Sequence, residues 1–386
     1  MNSSAAGDRL KHVETLFRKG ANGELYSATG SATMTADAAG RISRKPDRAT
    51  GPGWLTDLKY RYPGRYLAGW GALALLLVVV AVFVPTALGG NSIRSVTALA
   101  GVLALASFGQ MLIVMLGALD LSVPAIMAVS AGIVVHYGVE GANLVPVFAG
   151  AIIAAVAIST INGLLISTLR LNPLIVTLAT FGIVTGAIQL WTGVSFSLTG
   201  QAPASLQTFA TWSALALNAC FLIAIVVGII LAAVLNRTRA GRKVAAVGSN
   251  RRAARVLGTR VKVVEISTFA AAGLLYGIAG VLLAGFVGTP NSTIGAPYQL
   301  ATVTVIAIAG AILSGGPASV ATVIAAALFL QLLDQALIIA GLPAGVRVIV
   351  QGVALAVAVA AITLSQYGFS IVRRSGLLMN SLMRRD

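Results

Sequence analysis

The sequence predicts an all-α, polytopic membrane protein with about ten transmembrane helices, some of them broken or re-entrant. Three observations lead there. Of 386 residues, 57% are hydrophobic and only 10% are charged, against about 25% charged in a soluble domain. From Tyr66 onward, apolar runs follow one another, most of them near the roughly 20 residues that cross a bilayer. The charge is also segregated: the stretch from Asn236 to Lys262 holds nine Lys or Arg and no acid, between two apolar runs.

Residues 1–65 are polar, rich in Gly, Ser and Ala, and charged with both signs. They predict a loosely ordered tail, with "HVETLF" (His12 to Phe17) as a candidate short helix. No apolar segment lies near the start, so a secretory signal is not expected. The spans are then expected at 66–87, 95–117, 122–139, 144–168, 172–192, 213–235, 263–286, 299–314, 317–340 and 345–364. Pro85, Pro124, Pro146, Pro173, Pro317 and Pro343 mark boundaries between them, where proline disfavours continuing a helix. The span at 299–314 is short and the one at 122–139 has an early proline, so these two are the candidates for broken pieces. Residues 365–386 are expected as a C-terminal tail.

Lys and Arg resist translocation and stay in the cytoplasm. With both termini cytoplasmic, 25 of the 27 Lys and Arg fall inside, leaving only Arg94 and Arg347 on the outer side. The basic island at 236–262 then faces the cytoplasm. A net charge of +16 would suggest nucleic acid in a soluble protein; here it records orientation in a lipid bilayer, and no nucleic acid is expected. Cys220 stands alone, and His12 and His136 are scattered. That rules out a disulfide framework or a cysteine metal site, and neither metal nor cofactor is expected.

Within the island, "SNRRAARVLG" reads as a short helix. Ser249 or Asn250 can cap it, Ala253 and Ala254 favour it, and Gly258 can end it. Gly241 and Gly248 are expected to punctuate the approach. Here the chain resembles the permeases of ATP-binding cassette (ABC) sugar importers of the ribose, xylose and arabinose type. Their cytoplasmic loop has the form G-R-x-x-x-A-x-G-x-N-x-x-A-A-x-x-x-G, matched at Gly241, Arg242, Ala246, Gly248, Asn250, Ala253, Ala254 and Gly258. Arg251 and Arg252 stand where the family often has an acid. "GQMLIVMLGALDLSV", "INGLLISTLRLNPLIVTLATFGIVTG" and "AGAILSGGPASV" are similar to three further family segments, in the family's order. Departures are Ala118, Pro124, Ala309 and Ala318 for glycines.

The resemblance implies a division of labour. No G-x-x-x-x-G-K-[ST] phosphate loop occurs in the chain, so ATP hydrolysis is expected on a cytoplasmic ABC ATPase subunit and the chain itself is not an enzyme. The island would couple to that subunit, and an extracytoplasmic sugar-binding protein would deliver the solute. Two permeases, as a homodimer or with a paralogue, would frame the path. A pentose-like monosaccharide or related polyol is the implied cargo.

Polar residues within the spans are candidates for the translocation path. Asp120 is one, although with Ser122 and Pro124 it also has the composition of a capped helix start. Asp334 lies late in the ninth span. Asn162, Thr177, Thr180, Thr185, Gln189 and Trp191 make a polar stripe, equally readable as interhelical glue, with Trp191 as an interface anchor. Glu265 is expected to favour a helix N-terminus, and Glu140 to be solvated in an outer loop. A stand-alone secondary transporter or channel is the alternative. It calls for intramembrane charge pairs, and the acids have no obvious basic partners in the spans.

Overall fold

The computed structural model describes residues 64–192 and 200–354, helical positions 356, 357 and 360, and four short strands nearer the N-terminus. The strands are β1 (Phe17–Lys19), β2 (Leu25–Ser27), β3 (Thr33–Ala36) and β4 (Ile42–Arg44), paired antiparallel in that order. Phe17 begins a strand rather than ending a helix. The rest of the stretch expected as an N-terminal tail lies outside the described residues, as do the expected C-terminal tail and the end of the tenth span. Residues Met1–Tyr62 and Pro63–Asp386 are separate compact units.

In the second unit every expected span has a helix. They are α1 (Gly64–Phe83), α2 (Gly90–Met115), α3 (Val123–Tyr137), α4 (Val145–Leu169), α5 (Pro173–Thr192), α7 (Ala219–Arg237), α10 (Val261–Val287), α11 (Ala296–Ile308), α12 (Val320–Ile339) and α13 (Ala344–Ala354). Six of them, α2, α4, α5, α7, α10 and α12, are long and apolar enough to cross a membrane. The two expected short pieces, α3 and α11, have only 15 and 13 residues. The sixth span starts later than expected. Residues 213–218 instead form a tight hairpin of β5 (Ser213–Ala214) and β6 (Leu217–Asn218), preceded by a short helix α6 (Ala204–Thr211). Glu140, expected to be merely solvated, accepts a hydrogen bond from Ala204 N at 2.7 Å and so caps α6.

Helix α2 is the axis of the domain. It is buried along almost all of its membrane-length core, and α10, α12, α7 and α11 surround it. Between α4 and α10 small residues let backbones approach: a Cβ on Gly273 would meet Ser159, and one on Gly277 would meet Ala155. Lipid gives helices no hydrophobic reason to associate, so such close packing supplies the attraction. By contrast α5 exposes Leu174, Ile175, Leu178, Ile183 and Leu190, and α7 exposes Val226, Ile229 and Ile230. These are faces for lipid or another membrane chain.

Helices α2 and α11 end alike. Gly117 N donates to Val114 O and Ala118 N to Ile113 O; Gly310 N donates to Ala307 O and Ala311 N to Ile306 O. Gly117 and Gly310 have φ of 77° and 76°, the left-handed conformation that closes a helix with this double bond. The sequences carrying the motif, "IVMLGA" and "IAIAGA", share the glycine, the Ile before it whose carbonyl accepts, and the Ala after it. The turn after α2 packs against the segment that follows α11: a Cβ on Gly117 would lie 2.9 Å from Ser314 O.

Candidate functional site: the basic island and the buried polar network

The island folds as two helices, α8 (Arg239–Ser249) and α9 (Arg251–Val256). Thr238 caps α8, its hydroxyl accepting from Gly241 N at 3.3 Å. Asn250 caps α9, its Oδ1 accepting from Arg252 N and Ala253 N at 3.0 Å each. Of the two expected caps, Ser249 is instead the last residue of α8, its hydroxyl donating to Ala245 O. Gly241 and Gly248 do not punctuate the approach either: both lie inside α8. Gly258 does end the second helix, with φ of 80° and Thr259 N returning to Ala254 O.

Small residues are needed here because α8 is wedged against the domain. Gly241, Val244 and Val247 form its buried stripe. A Cβ on Gly248 would lie 1.7 Å from Met115 O, and one on Gly315 would lie 2.6 Å from Gly248 O. Met115 O in turn accepts from Gly316 N at 3.0 Å. The end of α8 therefore touches the end of α2 and the Gly315–Gly316 turn at once. Ala254 is buried too, whereas Arg242, Ala246, Ala253 and Gly258 are exposed. The eight motif positions thus divide. Gly241, Gly248 and Ala254 seat the island, and Val256 and Leu257, outside the motif, stand 88% and 83% exposed at its outer tip. The sequence reading missed that pair. Two apolar residues closing a basic helix were the signal.

Four of the path candidates meet in one network. Asp120 is buried, and its Oδ1 accepts from Ser122 N at 2.8 Å and from the Ser122 hydroxyl. That hydroxyl accepts from Asn162 Nδ2 at 3.0 Å, and Asn162 Oδ1 accepts from the Thr180 hydroxyl at 2.6 Å. Thr177 accepts from Leu121 N at 3.0 Å. Asp120 thus folds its own turn rather than capping α3, whose N-cap Ser122 makes no side-chain cap bond. Gln110, on α2, completes the enclosure: with its amide turned to suit its neighbours, Nε2 donates to Asp120 O at 3.1 Å and Oε1 accepts from Asp120 N at 3.2 Å. Neither Gln110 nor the nearby Tyr276 hydroxyl figured in the sequence reading, since a lone Gln in an apolar helix carries no pattern.

Gln189 is not brought to this network; it is exposed on α5. Trp191 joins a ring cluster with His136 and Tyr137, at centroid distances of 5.1 and 5.9 Å. Asp334 lies in another place, about 20 Å along α12 from the island end. Two acids expected to lack basic partners have them. Asp334 pairs with Arg347 at 3.1 Å and accepts from Gln351 at 3.3 Å, beside a cleft of about 480 Å³. Glu265, beyond the first turn of α10, pairs with Arg251 of the island at 3.0 Å. Sequence spacing hid both pairs because their members come together only when helices pack.

A profile of a family described as "Branched-chain amino acid transport system / permease component" matches residues 92–359. The chain belongs to that permease family. Among curated relatives it is 29% identical to the ribose import permease protein RbsC of Bacillus subtilis, over 74% of this chain and 89% of the relative. It is 29% identical to the autoinducer 2 import system permease protein LsrC of an Enterobacter species, over 74% of this chain and 83% of the relative. A third relative, "Probable ABC transporter permease protein y4mJ" of Sinorhizobium fredii, is 28% identical over 76% and 87%. No solved structure matches the chain. The protein is a multi-pass permease subunit of an ABC importer, and the network and island are parts of that transport domain.

Proposed function

We propose that this permease carries a pentose-like monosaccharide or related polyol across the inner membrane by alternating access, driven by ATP hydrolysis on a separate cytoplasmic ABC ATPase subunit. The observation that carries the coupling is the seat of α8. Gly248 touches the end of α2 and the Gly315–Gly316 turn together, so a push on the island reaches both segments without passing through a flexible linker. The exposed Val256–Leu257 tip, ringed by Arg251, Arg252 and Arg255, suits a cleft on the ATPase. Both termini face the cytoplasm in this reading, an extracytoplasmic sugar-binding protein delivers the solute, and a second permease copy or paralogue completes the path.

The cargo rests on the relatives, whose names specify ribose and autoinducer 2. Among the path candidates, Asp334 borders an open cleft and Gln189 an exposed helix face, which supports a place along the path. Asp120, Asn162 and Thr177 are buried and Thr180 half-buried, and their part is to hold α3, α4 and α5 in register while the island and the segments it touches move. Reconstitution of the permease with its ATPase and binding protein in proteoliposomes tests the whole. Ribose uptake should require ATP, and leucine, suggested by the family description, should not compete. Gly248→Asp and Ala254→Glu should insert normally, keep ATP hydrolysis and lose uptake by tenfold or more (about 1.4 kcal/mol of coupling). Uptake by the lone chain, or undiminished uptake in both variants, defeats the reading.

A further inference from the structure

A second cleft, of about 290 Å³, opens where the end of α4, the start of α5, the start of α10 and helix α9 converge. Arg170, Arg251, Arg252, Arg255 and Lys262 line it, against the single carboxylate of Glu265. Arg251 is taken by that carboxylate, which also faces the charge of Arg255, so the five cations of the lining have one acid among them. Like charges gathered in one concavity repel one another, and the arrangement persists in a fold only where an anion fills it or water screens it. Ser167 is an independent observation on the same cleft. It lines the cleft, the residue is only 7% exposed, and its hydroxyl has no hydrogen-bond partner among the described residues. A buried hydroxyl left unpaired is costly, and a bound acceptor would relieve it.

The walls identify the anion's carrier. Ile166, Leu171, Pro173 and Val261 form the apolar side of the same cleft. They sit at the ends of three membrane helices, which is the level of the lipid head groups. Beside them Leu169, Leu174 and Ile175 are exposed on faces that a bilayer would cover. A phosphate joined to acyl chains can place its charge among the arginines and its glycerol against that wall; basic pockets between membrane helices bind anionic head groups in this way. Arg170 adds a local sign. Its φ is 56°, a left-handed backbone better suited to Asn or Gly, yet a long cation occupies it.

We propose that this cleft binds the phosphate head group of an anionic phospholipid, and that the lipid braces α9 against α4 and α10. The site is walled in part by the island's own helix α9 and does not depend on which solute the permease carries. Native mass spectrometry of the full chain in mild detergent, titrated with phosphatidylglycerol or phosphatidylcholine, tests it. The native chain should retain one phosphatidylglycerol in preference to phosphatidylcholine. Arg170→Asn with Lys262→Gln, in which Asn suits the left-handed backbone, should weaken retention roughly thirtyfold, and Ser167→Ala roughly fivefold. Arg237→Gln with Arg239→Gln removes the same charge from exposed positions of the same loop outside the cleft and should change nothing. Arg170→Lys with Lys262→Arg keeps the charge and should keep the lipid. Equal retention in Arg170→Asn/Lys262→Gln overturns the proposal and leaves the cations to an acidic protein surface. Equal loss in the control pair, or loss in the charge-keeping pair, overturns it as well. Displacement of the lipid by an equal concentration of inorganic phosphate would make free phosphate the ligand and overturn the lipid assignment.

Discussion

Gly248 and Asn162 show how single residues hold this domain together by different means. At Gly248 the constraint is space: a methyl group would have to occupy the van der Waals shell of Met115 O. Gly248→Ala should therefore push α8 off its seat at a penalty of about 1–3 kcal/mol. Thermal unfolding in detergent should show it as a lowered midpoint, whereas Ala253→Ser, on the exposed side of α9, should leave the midpoint unchanged. At Asn162 the constraint is polarity. Its amide donates to Ser122 and accepts from Thr180, joining the turn before α3 to α4 and α5. Interhelical hydrogen bonds of this kind contribute about 0.6 kcal/mol on average, so Asn162→Leu should lower stability by about 1–2 kcal/mol for the two. A wild-type midpoint for Asn162→Leu would show that the bonds are replaced or idle.

Between α12 and α13 the element-scale question is what a charge pair does in apolar helices. Asp334 and Arg347 are only 21% and 25% exposed. Each has been partly withdrawn from water, and attraction between them offsets that loss. Removing one partner strands the other. Arg347→Met or Asp334→Leu alone should thus destabilise the domain more than both together, a sign reversal that a double-mutant cycle on unfolding midpoints detects. Additive penalties would mean the two groups do not depend on each other. The pair is what a secondary transporter would use for ion coupling, but here it occurs in a chain that belongs to a family of ABC importer permeases. A structural clasp between the last two described helices fits both facts.

For the molecule as a whole, sidedness is the outstanding prediction. Cys220, the only cysteine, is buried, so a membrane-impermeant maleimide should find no background target in the native chain. Arg252→Cys should label only after cells are permeabilised, and Ala142→Cys, exposed in the loop after α3, should label in intact cells. The reverse pattern would invert the domain and detach the island from any cytoplasmic motor. The helices of the molecule were already legible in its sequence. Apolar run length placed ten helices, because every span must satisfy its own backbone hydrogen bonds in lipid; Lys and Arg placement sets the sidedness that the labelling tests. Even the weak spans were legible, since a proline and a short run marked α3 and α11. What chain order could not supply was contact. That Asp120 meets Asn162, that Gly248 lies in a helix against Met115, and that Glu265 and Asp334 have arginine partners all depend on how helices pack. In lipid that packing is chosen by small-residue fit and polar pairing across the bundle, neither of which leaves a period along the chain.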